Sequence, residues 1–81
     1  MSQTQQNKAM SLEPVKSSNI AKIGYDQESQ TLRIEFISGG TYDYANVPQK
    51  LYILFKGNKS LGSFFFKYIK DKKEHPFTKI S

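Results

Sequence analysis

The 81-residue sequence contains no cysteine and no tryptophan, and it has a single histidine and a single arginine. Without cysteine there is no disulfide scaffold, no thiolate metal site and no Cys nucleophile. One imidazole, His75, cannot build a multi-histidine metal centre. It also lacks an oriented partner at a spacing that would make it a general base. Beside Pro76 it is expected to end a helix near that helix's negative pole. The HExxH, Walker and GxSxG patterns are missing. We therefore expect no catalytic residue, no metal and no cofactor, and read the chain as a non-enzyme. Long apolar runs are missing too. The longest are Leu51–Phe55 and Phe64–Phe66, far short of the ~20 residues of a membrane span. The first eight residues show no apolar core of a signal peptide. A cytoplasmic protein with no membrane partner is expected.

Aromatic residues and positive charge are plentiful. Six Phe and five Tyr supply much of the apolar area, at roughly 150–250 Å² each. A chain this short buries only ~60% of its unfolded surface, so those rings are needed for a core. The net charge is +5, and it is unevenly placed. Residues 1–50 carry equal numbers of basic and acidic side chains. The whole excess lies after Lys50, where Lys56, Lys59, Lys67, Lys70, Lys72, Lys73 and Lys79 face only Asp71 and Glu74. Such asymmetry marks an anion-binding end or a solvated helix face.

Residues 1–16 are rich in Gln, Ser, Thr and Lys and read as a polar, disordered tail. Residues 17–81 read as a single domain. Residues 19–25 form a first strand in which Ile20 and Ile23 fall on opposite faces, a conflict that a bulge near Gly24 or burial on both sides would resolve. Residues 31–37 alternate cleanly, with Leu32, Ile34 and Phe36 opposite Arg33 and Glu35. Ser38-Gly39-Gly40 supplies the positive-φ residues of a tight hairpin, and residues 41–47 continue the alternation with Tyr42 and Tyr44 on one face. Pro48 suits the first position of a helix with Leu51, Leu54 and Phe55 as its apolar stripe, widened by Tyr52 and ended at Gly57 or Asn58 by a left-handed cap. Ser60 is an N-cap for a second helix, in which Leu61, Phe64, Phe65, Tyr68 and Ile69 match an amphipathic period. His75-Pro76 is expected to stop it. The fold class is α+β: a three-stranded antiparallel meander covered on one face by two short C-terminal helices, with a short C-terminal strand around Phe77–Ile80 left open.

The order of landmarks is Ser17-Ser18-Asn19-Ile20, Ile23-Gly24-Tyr25-Asp26, the Leu-x-Ile-x-Phe strand at Leu32–Phe36, Gly39-Gly40, Tyr42-Asp43-Tyr44, Val47-Pro48, and Ser60-x-Gly62 with an aromatic pair before Ile69. In this the sequence resembles the KTSC domain family. That domain occurs at the C-terminus of some lysyl-tRNA synthetases and as small stand-alone proteins of bacteria and phages. The resemblance covers residues 17–80. It implies a small α+β domain without known catalysis, and the synthetase context implies association with RNA. Where many members carry a polar Asn-Arg-His-like run before the Ile, this chain has Phe66, Lys67 and Tyr68. Only Lys67 keeps the basic character, and Phe66 becomes a candidate contact residue.

Two groups of binding residues follow. The start of the second helix, with Lys59, Ser60, Gly62 and Ser63, offers N–H groups, hydroxyls and charge to a phosphate. Simple capping by Ser60 and close packing at Gly62 would explain the same residues. Lys59, Lys67, Lys70, Lys72 and Lys73, with Phe66 or Tyr52 for stacking, would form a nucleic-acid surface. Arg33 on the open sheet face would clamp an anion with Lys22, or else pair across strands with a neighbour of the Glu35 or Asp43 type. The leading expectation is a binding module for RNA, DNA or another phosphate-bearing partner. The alternatives are a phage-type anti-defence protein that sequesters a small anionic nucleotide, and a protein-binding adaptor or inhibitor. The last would use Phe66 or the sheet edge for a protein partner or a second copy.

Overall fold

In the computed structural model, which describes residues 10–81, the alternating segment Thr31–Phe36 is the middle strand of a five-stranded antiparallel sheet. The strands are β1 (Glu13–Pro14), β2 (Ile20–Asp26), β3 (Thr31–Phe36), β4 (Thr41–Tyr44) and β5 (Phe77–Lys79), and their spatial order follows the chain. Helices α1 (Gln49–Lys56) and α2 (Leu61–Tyr68) lie between β4 and β5. The α+β class is as expected, but the sheet has five strands rather than three: the strand left open around Phe77–Ile80 forms as β5, so the helices do not end the chain, and β1 adds the opposite edge. The unforeseen edge strand, β1, is two residues long, too short to display a period of its own.

Part of the tail expected over residues 1–16 is thus structure. Residues 1–9 lie outside the described residues, but Glu13 and Pro14 pair with Ile23 and Lys22 of β2. The Val15 N–H donates to the Ala21 carbonyl at 3.1 Å, and Lys56 Nζ stands 3.6 Å from the Glu13 carboxylate. Gly24 makes room for this arm. A Cβ there would lie 2.7 Å from Leu12 Cδ2 and 2.8 Å from the Ser11 carbonyl oxygen.

The conflict between Ile20 and Ile23 is resolved by a bulge, but at Ala21 and not near Gly24. Ile20 stands across from Phe36 and Lys22 across from Glu35, so two steps on β2 match one on β3. The slip returns Ile20 and Ile23 to the same face, and both are fully buried. The β3–β4 turn is tight as expected, with Gly39 at φ 107° and Gly40 at φ 91°. Leu32, Ile34 and Tyr44 join the two isoleucines on the sheet face, and Val47, Phe55, Leu61, Phe65 and Ile69 close over them. Each such apolar side chain contributes about 1.5–3 kcal/mol on burial.

The helix ends differ from expectation. Pro48, at φ −64° and ψ 153°, is the cap residue before α1 rather than its first helical residue. Gly57 closes α1 with a right-handed φ of −85°, because its N–H still reaches the Ile53 carbonyl at 3.0 Å. Leu54 leaves the apolar stripe and is 55% exposed, since Leu51, Tyr52 and Phe55 take the sheet-facing side. Helix α2 stops at Tyr68, well before His75. The Ile69 and Lys70 N–H groups both bond the Phe65 carbonyl, at 2.9 and 2.8 Å, and Asp71 turns away at φ 60°. His75 instead pins the last loop, with Nδ1 3.1 Å from the Ala45 carbonyl oxygen. Among the described residues no helix is long and apolar enough to cross a membrane.

Candidate functional site

The first residues of α2 face the turn that leads into β2. In that turn the Ser17 hydroxyl accepts from the Asn19 and Ile20 N–H groups, each at 3.2 Å, and the Ser18 hydroxyl donates to Asn19 Oδ1 at 3.0 Å. Gly62 lets the turn and the helix approach, since a Cβ on it would come 3.0 Å from Asn19 Oδ1. Ser60 sits at the N-cap, but its side chain makes no capping hydrogen bond; its backbone N–H donates to Asn58 Oδ1 at 3.0 Å. Simple capping therefore does not account for the Ser60 hydroxyl.

Between turn and helix lies a groove of about 350 Å³. Lys16, Ser17, Ser18 and Asn19 form one wall. Lys59, Ser60, Gly62 and Ser63 form the other, and Phe66 stands at the rim. The first turn of α2 carries no acidic residue. Two lysines, the unpaired N–H groups of a helix start and several hydroxyls therefore face one space, a combination that favours an anion. Phe66 is 54% exposed, with Lys70 Nζ 5.6 Å from its ring centre. Of the three consecutive phenylalanines, Phe65 is buried in the core and Phe64 packs against Phe55 and Tyr68, which leaves Phe66 as the ring turned outward.

Five of the expected site residues thus meet: Lys59, Ser60, Gly62, Ser63 and Phe66. Lys70 stands beside Phe66 but is paired with Asp71 at 3.0 Å. Lys67 lies over the Tyr68 ring, 5.4 Å from its centre, and Lys72 and Lys73 sit in the exposed loop after α2; none of these three lines the groove. Tyr52 is not a free stacking platform. Its ring lies 4.4 Å from that of Tyr25, with planes 7° apart, and the Tyr25 hydroxyl donates to the Val47 carbonyl. Burial pushes both phenols above the usual tyrosine range.

Arg33 does not line this groove. Its Nε and Nη2 donate to the two Asp43 oxygens at 2.6 and 2.9 Å, on the sheet face opposite Leu32 and Ile34. These hydrogen bonds hold the guanidinium charged against its partial burial. Asp43 is the residue directly across the strands, which is why the pair forms. Sequence reasoning missed Lys16 and the Ser17–Asn19 turn as site residues. They are brought to α2 by the sheet, some 40 positions away in the chain, and the only local signal was a glycine at position 62 where closeness mattered more than helix propensity. Among the described residues no cluster of His, Asp or Glu could hold a metal ion.

Comparison with known proteins adds a family context. Residues 16–72 match the KTSC domain. Over 53 residues, 65% of this chain, the sequence is 42% identical to a lysine–tRNA ligase of Nostoc punctiforme, of which the match spans only 9%. It is 39% identical over 51 residues to an uncharacterized protein of Stutzerimonas stutzeri, covering 63% of this chain and 72% of that one. The crystal structure of a KTSC domain protein from Yersinia pestis superposes with a TM-score of 0.84 at 41% identity, covering 90% of this chain and 100% of the other.

Proposed function

The chain belongs to the KTSC domain family, and from that premise we propose that it is a non-enzymatic binding module for phosphate-bearing partners, foremost single-stranded nucleic acid. The observation that carries this is the groove in which Lys16 and Lys59, the hydroxyls of Ser17, Ser18, Ser60 and Ser63, and the exposed ring of Phe66 come together. Lysines and N–H groups neutralise and position phosphates, and an exposed aromatic stacks bases without regard to their sequence. The net charge of +5 draws a polyanion toward the surface. The relative that is a lysine–tRNA ligase favours RNA among the candidates, because its name sets a tRNA beside a domain of this kind. Such a partner places the protein in the cytoplasm. Capture of a mononucleotide is a second reading, supported by a groove volume of about 350 Å³, within the ~300–1,000 Å³ range of small-ligand pockets.

The test is a titration of labelled single-stranded RNA at several salt concentrations. Affinity is expected to fall as salt rises, with a log–log slope of about −0.7 for each phosphate neutralised. Lys16→Gln and Lys59→Gln together should flatten that slope by about 1.4, two lysines at about 0.7 each. A wild-type affinity indifferent to salt, or a slope the double variant leaves untouched, would refute the assignment. A thermal shift with mononucleotides but no RNA binding would favour the second reading.

A further inference from the structure

We infer that a second groove, beyond Phe66, takes a base of the same strand whose phosphate lies at the start of α2, so that the ligand is laid from a polar end to an aromatic one. The phosphate end rests on the reading proposed above; the base end stands on separate observations. Phe36, Tyr42, Tyr44 and Phe77 line a groove of about 360 Å³ with Lys70 and Asp71 at its edge. With the buried Phe65 below, these rings form a closed circuit. The centroid separations are 5.7 Å for Phe77–Tyr42, 5.8 Å for Tyr42–Phe36, 5.7 Å for Phe36–Phe65, 5.1 Å for Phe65–Tyr44 and 6.2 Å for Tyr44–Phe77. Phe77 is 58% exposed although its backbone is paired within the sheet, opposite Tyr44. A flat ring held on a strand at the rim of an aromatic groove is a stacking surface for a planar group.

The charges decide which end of a nucleotide goes where. Lys70 and Asp71 lie 3.0 Å apart, so their charges largely cancel at the edge of this groove, and the Asp71 carboxylate repels a phosphate. The polar groove has lysines and no acid in its walls. A base, uncharged and edged with both donors and acceptors, suits an Asp–Lys pair over aromatic rings; a phosphate suits the other groove. The two are joined. A depression of about 340 Å³ shares Ser18, Asn19 and Phe66 with the polar groove, and Phe36 and Ser38 with the aromatic one. Phe66 stands between them as an intermediate stacking point.

Uncharged nucleosides probe the base end by themselves. In amide and aromatic NMR spectra of the whole chain, millimolar adenosine or guanosine should shift Tyr42 and Phe77 while leaving Ser60 and Ser63 in place. Phe77→Ala should weaken a single-stranded RNA heptamer by roughly 5- to 150-fold, the equivalent of about 1–3 kcal/mol per stacked base, with the salt slope unchanged. Phe77→Leu keeps an apolar cover without a flat face and should behave as the alanine variant does. Lys16→Gln with Lys59→Gln should do the opposite, lowering the slope and leaving the nucleoside shifts intact. If RNA binds with a salt slope but neither Phe77 variant weakens it, or nucleosides move nothing in the groove, the base site is refuted and the phosphate reading survives. If nucleosides shift Tyr42 and Phe77 but RNA binding is absent, the phosphate reading falls and the base site remains. If Phe77 signals instead change with protein concentration alone, a second copy occupies the groove and the inference is overturned.

Discussion

Asp43→Asn removes the charge that holds Arg33, and its consequences separate a structural arginine from a binding one. Two hydrogen bonds are at stake, at 2.6 and 2.9 Å. Fully buried bonds to charged groups contribute about 1.5–3 kcal/mol, and fully exposed ion pairs about 0–1 kcal/mol. The Arg33 and Asp43 side chains are 27% and 19% exposed, between those limits, so a coupling of about 1–2 kcal/mol is expected. The measurement is a double-mutant cycle of Asp43→Asn and Arg33→Met by urea unfolding, followed by circular dichroism and tyrosine fluorescence, the chain having no tryptophan. Each kcal/mol lowers the melting temperature of a domain this size by about 4–8 °C. The double variant should be little less stable than the worse single one. Strictly additive losses would refute the pairing. So would a loss of RNA affinity and salt slope in Arg33→Met, because that would return the guanidinium to the anion site.

Two further predictions concern the body of the fold. Burial, with Tyr42 and Asp71 nearby, pushes the Tyr44 phenol from the ordinary 10.0 up to about 12. Below about pH 10 the folded and unfolded chains hold the same proton; between about 10 and 12 only the unfolded chain releases it, so stability should decline across that window. Urea melts from pH 8 upward check this, and Tyr44→Phe should flatten the decline; an unchanged decline in that variant would refute the assignment. Gly24→Ala would drive a Cβ into Leu12 and the Ser11 carbonyl, at 2.7 and 2.8 Å. A loss of roughly 1–3 kcal/mol is expected, together with faster hydrogen exchange at the Val15 amide and unaltered exchange in the β3–β4 hairpin. Full protection of Val15 in the variant would show that the arm does not need the glycine.

The central strand, the glycine hairpin and the aromatic face of α2 were legible because each is a local pattern. Leu32, Ile34 and Phe36 alternate, Gly39 and Gly40 stand where left-handed backbone is needed, and Leu61, Phe65 and Ile69 recur one turn apart. Ile20 and Ile23 were recognised as a conflict but its position was not, because a bulge is fixed by register against a partner strand and any of several residues can absorb it. Leu54 falls outside the buried stripe for a related reason: in an eight-residue helix the apolar face is broad, and the neighbour decides which side is covered.

Of the candidate site, the sequence alone determined the half carried by one helix. Lys59, Ser60, Gly62, Ser63 and Phe66 are close in the chain, so 3.6-residue geometry places them at one end of α2. Tertiary structure decided the rest. It set Lys16 and the Ser17–Asn19 turn against that end, gave Arg33 to Asp43 and Tyr52 to Tyr25, and led β5 back beside β4 so that Phe77 meets Tyr42 and Tyr44. Charge can be counted along a chain, but whether a given lysine or ring is free to meet a partner depends on what the fold places next to it, and those neighbours come from strands that pair over long separations.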